Sequence, residues 1–135
     1  MSVIVNVGIF ARNAECQGLS DALNGGYFEV RTGTQPASVD DTATGTLIGT
    51  VVLNTPSFLT PSGGVMVLDG PAVVLAVADA DVDNITWGRF YTAANDACID
   101  VDITLSGGGG AMIATKIDPL TNESIALTYT HTIPE

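Results

Sequence analysis

Beyond residue 24 the chain is broken at intervals of about ten residues by Gly, Pro, Asn or Asp, and short runs rich in Thr, Val and Ile lie between the breaks. That spacing is the mark of a sandwich or barrel. Helix signals are confined to one stretch, Ile9–Leu23, where Ile9, Phe10, Leu19 and Leu23 form an apolar side and Asn24-Gly25-Gly26 supplies a stop. Gly18 weakens the middle of that helix. The expected fold is therefore mainly all-β: an antiparallel β-sandwich or jelly-roll-like domain with one short N-terminal helix. Residues 1–8 read as an apolar arm and 9–135 as a single domain whose helix spans 9–23. A chain of 135 residues buries about two thirds of its unfolded surface, so it needs no disulfide or metal to fold.

Eight strands follow from alternation and turn signals. Tyr27–Thr32, Thr46–Leu53, Val65–Leu68 and Ala72–Ala78 come first, then Ile85–Tyr91, Cys98–Leu105, Ala111–Ile117 and Ser124–Ile133. Thr34–Gly45 reads as an excursion loop. Asp69-Gly70 between the third and fourth runs is a two-residue hairpin signal. In the sixth run Ile99, Val101, Ile103 and Leu105 are expected inward, with Asp100, Asp102 and Thr104 on a wet face. In the last, Ile125, Leu127, Tyr129, His131 and Ile133 share a face.

Charge narrows the partners. Four Lys and Arg stand against fifteen Asp and Glu, a formal net charge of −11, and charged residues are only 14% of the chain. Arg12, Arg31, Arg89 and Lys116 are too few and too scattered to neutralise phosphates, so nucleic acid and anionic membrane surfaces are excluded as partners. No run approaches the length of a membrane-spanning helix, and the start lacks the basic region of a secretory signal. Folding in a cytosol is the expectation, with Cys16 and Cys98 as two unrelated reduced thiols.

The chemistry-bearing residues form no catalytic or cofactor constellation. Asp79, Asp81 and Asp83 have the spacing of oxygen ligands to a hard cation. The Ca2+ loop pattern fails at its Gly and Glu positions, occupied by Asn84 and Phe90, and an acidic solvated loop is the plainer reading. Asp100 and Asp102 read as a wet sheet surface, His131 as a packed or interface side chain, and Gly107–Gly110 as a turn. Two stretches, Val3–Val7 and Ala72–Ala78, are apolar without an obvious polar face, and a second subunit would cover them. The interface candidates are Val3, Ile4, Val5, Val7, Ile9, Phe10 and Trp87.

Three segments carry a resemblance: Asp21–Pro36 with its Gly25-Gly26 and Arg31-Thr-Gly-Thr-Gln-Pro36, Ala43–Thr50 with Thr44-Gly-Thr-Leu-Ile48, and Ile85–Tyr91 with Trp87-Gly-Arg89. Together they resemble small tailed-bacteriophage virion structural proteins of the capsid decoration or cement kind, over Ala11 to the end with gaps. The N-terminal start and the Asp79–Asp83 loop depart from that pattern. The resemblance implies a non-enzymatic protein on the outer capsid surface. It would bind the major capsid protein, associate with itself as a homotrimer and stabilise the head, with neither cofactor nor metal. A tail- or fibre-associated subunit, or a carbohydrate- or Ca2+-binding sandwich module using Trp87, Tyr91 and the Asp79–Asp83 loop, are the other readings.

Overall fold

Helix α1 spans Ile9–Leu23, the bounds its spacing predicts, but its packed side differs from the expected one. Cys16, Leu19, Ser20 and Leu23 form the stripe that meets the rest of the chain, while Ile9 and Phe10 face outward at 54% and 87% exposure. Ser20 can sit in that stripe because its polar atoms are answered. Its hydroxyl accepts from the Phe58 N–H, and its carbonyl accepts from the Ser57 hydroxyl at 2.7 Å. The computed structural model describes residues 5–70, 72–75, 84–120 and 122–134.

Among the described residues eight strands follow: β1 Tyr27–Thr32, β2 Leu47–Val52, β3 Val65–Val67, β4 Ala72–Leu75, β5 Ile85–Tyr91, β6 Ala97–Thr104, β7 Met112–Ala114 and β8 Ser124–Thr132. They form one sheet in the order β2-β1-β5-β6-β7-β8-β3, with β4 also pairing β8. The fold is mainly β with one short helix, as the turn spacing implies. Every ladder is antiparallel except β6–β7, which is parallel and makes the sheet mixed.

The sheet curls over on itself. In a flat sheet β5 and β8 would lie three strand spacings apart, about 14 Å. The Phe90 and Tyr129 rings they carry are instead 5.4 Å apart between centroids. Strands β2, β1, β5 and β6 therefore make one leaf, and β7 and β8 with β3 and β4 make the other. Between the leaves Phe28, Phe58, Phe90 and Tyr129 form an aromatic cluster, closed by Ile48, Met66, Val101 and Met112.

Two local signals resolve differently from expectation. Asp69-Gly70 makes no hairpin, because β3 and β4 do not pair with each other. Both lie in line along β8, Val67 opposite Thr130 and Ala72 opposite Leu127, so five steps on one side match three on the other. The surplus is an interruption at Asp69 and Gly70, where the Asp69 N–H turns away to the Ser57 carbonyl. The described part of the expected Ala72–Ala78 strand ends at Leu75.

The glycine run, in turn, is more than a flexible turn. A parallel pair ordinarily needs a crossover of a dozen or more residues, yet only 105–111 separate β6 from β7. Gly107 and Gly109 take φ of 87° and 83°, and a Cβ on Gly108 or Gly110 would come within 2.8 Å of Thr104. The return is pinned by the Gly110 N–H on the Thr104 hydroxyl and the Ala111 N–H on the Asp102 carboxylate.

Candidate interaction site

The first candidate surface is the N-terminal arm. Val5, Ile9 and Phe10 are exposed, Phe10 almost wholly, and Val7 is half-buried. The arm is nevertheless anchored at its base: Arg12 donates its Nε–H to the Val7 carbonyl at 3.0 Å, and its backbone N–H reaches the Gly8 carbonyl. Gly8 is extended (φ −69°, ψ 162°), and residues 5–8 enter no sheet. The arm thus presents apolar side chains on a fixed stem. Val3 and Ile4 lie outside the described residues.

Trp87 does not belong with these residues. It is fully buried on β5, and its indole N–H is used on the Thr32 carbonyl at 3.0 Å, so it is not available to a partner. Beside it stands the least expected feature of the fold. Arg89, 3% exposed, reaches Asp100 on β6 with two donors, its Nη2 at 2.9 Å from Oδ2. Asp100, expected on a wet face, is only 7% exposed in this pair. The guanidinium also lies 5.4 Å over the Trp87 ring and donates to the Asp41 and Ser38 carbonyls of the 33–46 excursion. One step across the sheet, on β1, Glu29 faces Arg89 in register and pairs with Arg31 at 3.2 Å. Burial, and then the charge of Glu29, raise the nearby Tyr91 hydroxyl above its ordinary pKa.

This polar ladder runs across the outer face of the first leaf, and the excursion covers it. Arg31 holds the Gly45 carbonyl, and the Thr86 hydroxyl holds that of Gly33. The arrangement fixes a loop onto a sheet. A sequence signal did exist: Arg89 is one of four basic residues and sits in the aromatic run Trp87–Tyr91, where a charge needs a partner.

On the outer face of the second leaf Thr128 and Thr130 are exposed. Thr128 lies between two shallow grooves, of about 380 and 290 Å3. The first is walled by Leu105, Ile113 and Ala126, the second by Leu59, Val67 and Gly70. Leu105 belongs to this outer surface at 44% exposure rather than to the core its alternation suggested.

The remaining candidates divide plainly. Asp79, Asp81 and Asp83 lie outside the described residues. Among the described residues no three His, Cys, Asp or Glu side chains gather as metal ligands. Asp102 serves the glycine turn. His131 is half-buried, with Nδ1 2.7 Å from the Tyr129 hydroxyl. Burial lowers the His131 pKa and raises that of Tyr129 to about 12. Cys16 and Cys98 are both free thiols, and burial raises the pKa of each. No family model, curated protein or solved structure matches the chain.

Proposed function

We propose that the chain is a non-enzymatic structural subunit of a tailed-phage virion, a decoration or cement protein that binds the major capsid protein on the outer head surface and reinforces the shell as a homo-oligomer. The reading starts from the resemblance carried by Asp21–Pro36, Ala43–Thr50 and Ile85–Tyr91. Residues of those segments serve architecture. Gly26 lies so close to the Tyr91 carbonyl that a Cβ could not fit, Trp87 ties β5 to the end of β1, and Arg89 locks the excursion to the sheet.

The observation that supports the reading best is the exposed apolar arm. Among the described residues Phe10, 87% exposed on an anchored stem, is left open to solvent, and extended residues beside it can add to a neighbour's sheet edge. Burying a Val, Ile or Phe side chain yields about 1.5–3 kcal/mol each. Much of that is spent on association and ordering. A single copy therefore binds weakly, and an oligomer holds by avidity across the lattice.

Deleting residues 1–8 is expected to abolish co-sedimentation with capsids while the β domain stays folded by circular dichroism. Phe10→Asp, a surface change worth about 0.5 kcal/mol or less in stability, is expected to weaken binding without touching the helix stem. Undiminished binding by both variants would sink the role of the arm.

A further inference from the structure

We infer that the Tyr129–His131 pair is a proton-sensitive clasp: with its ring neutral it fastens the end of the second leaf on which α1 is docked, and protonating the ring loosens that end. The inference does not depend on what the chain binds.

His131 is the sole histidine, the one side-chain type whose ordinary pKa lies between about 5 and 8. It lies on the inner side of β8, in alternation with the buried Ile125, Leu127 and Tyr129. Directly opposite it on β3 is Met66, 1% exposed. Its Nδ1 is 2.7 Å from the Tyr129 hydroxyl, which has no other hydrogen-bond partner among the described residues.

That geometry assigns the protons. Burial keeps the phenol un-ionised, so its O–H donates to Nδ1 and the neutral imidazole carries its hydrogen on Nε2. A proton added at Nδ1 turns that atom from acceptor to donor. The hydroxyl must then accept from it and send its own hydrogen elsewhere, on a residue 7% exposed and set among Phe58, Phe90 and Met112. One polar hydrogen loses its acceptor, and a charge enters a half-buried apolar site.

The charges around the ring are few. Strand β3 and the 54–64 segment carry no ionisable side chain, and β8 offers only Tyr129 beside it. On α1, Arg12 is committed to the Val7 and Gly63 carbonyls and Cys16 to that of Gly64, while Glu15 and Asp21 are exposed. Glu135, four residues past His131, lies outside the described residues. None of the ion pairs among the described residues includes His131. Solvent and salt screen the exposed carboxylates, so burial sets the direction and disfavours the charged ring.

Hydrogen bonds carry the effect to α1. Ile133 donates its N–H to the Gly64 carbonyl at 2.9 Å. The Gly64 N–H reaches Asn13 Oδ1 at 2.8 Å, and its carbonyl also accepts from the Cys16 thiol. Gly64 directly precedes β3, so the end of the β3–β8 ladder and the helix meet at one residue. The clasp contributes fully while the ring is neutral in both the fastened and the open form. That contribution is lost as pH falls from the ordinary histidine value, about 6.5, through the lower value of the folded chain.

Amide exchange and the ring's own titration, both followed by NMR between about pH 7.5 and 5, test this. Protection at Gly64 and Ile133 is expected to fall as the ring protonates. The fold-loss should equal the ratio of the proton affinities of His131 in a short peptide and in the folded chain. Protection at Thr32 and Leu53, in the first leaf, should hold. His131→Gln, whose side-chain carbonyl can still accept from Tyr129, should show no fall at any of these amides. Should that variant not fold, the ring titration and the pattern of protection in the wild type decide alone. A ring that titrates at or above the peptide value, a folded variant that loses protection as wild type does, or an equal loss at Thr32 and Leu53 would overturn the clasp.

Discussion

Arg89→Ala is expected to destabilise the fold by about 3–5 kcal/mol, to lower Tm by roughly 10–20 °C, and to expose the 33–46 excursion to limited proteolysis. The size follows from what the substitution leaves behind. Asp100, 7% exposed, would be left without its partner, and the Asp41 and Ser38 carbonyls would lose their donor. The pair itself is not a large net source of stability, because taking two charges out of water offsets most of their attraction. Arg89→Leu combined with Asp100→Leu should therefore recover most of the lost stability. It should not recover the protease resistance, since leucine cannot hold the excursion. Calorimetry gives the first quantity and fragment mapping the second. A double variant as unstable as the single one would contradict this division of roles.

Phe90→Ala is the second large effect. The ring lies 4.5 Å from that of Phe28, 6.2 Å from Phe58 and 5.4 Å from Tyr129, so it joins the two leaves and the loop at one point. Truncation removes the buried area and leaves a cavity that the curled sheet cannot close, a loss of about 3–5 kcal/mol. Against a typical total of roughly 5–15 kcal/mol, that brings the domain to the edge of unfolding. Val52→Ala, at a position 74% exposed on β2, is the matched control and should change stability by about 0.5 kcal/mol or less. Urea midpoints for the two variants, measured with wild type, decide the matter. Equal midpoints would mean that the leaves are not joined through Phe90.

What was legible in the chain is what short-range patterning encodes. The helix bounds Ile9–Leu23 and the strands Tyr27–Thr32 and Ile85–Tyr91 are set by local periodicity and by stops such as Asn24-Gly25-Gly26. Features that depend on a distant partner were not legible. Asp69-Gly70 reads as a hairpin only when its flanks pair with each other, and here both flanks pair with β8, more than fifty residues on. Asp100 alternates onto the outer face as expected, but that face is covered by a loop from the other end of the leaf. The four glycines from Gly107 to Gly110 mark a turn, yet only the parallel β6–β7 pair explains why the turn must be so tight.

The same distinction holds for the candidate surfaces. The apolar arm is visible in the sequence because Val3–Phe10 has almost no polar side. Trp87 was misplaced there because one large aromatic reads alike as core or as anchor, and only the Thr32 carbonyl beside its N–H decides.

Whether the chain is a shell component, as proposed, is tested most directly by its copy number in purified tailed-phage virions assembled with the chain present. Weak single-copy binding through a small apolar arm works only in large numbers. Quantitative mass spectrometry against the major capsid protein should therefore find hundreds of copies per particle, lost together when residues 1–8 are deleted. Absence from the particle, or a handful of copies, would contradict it.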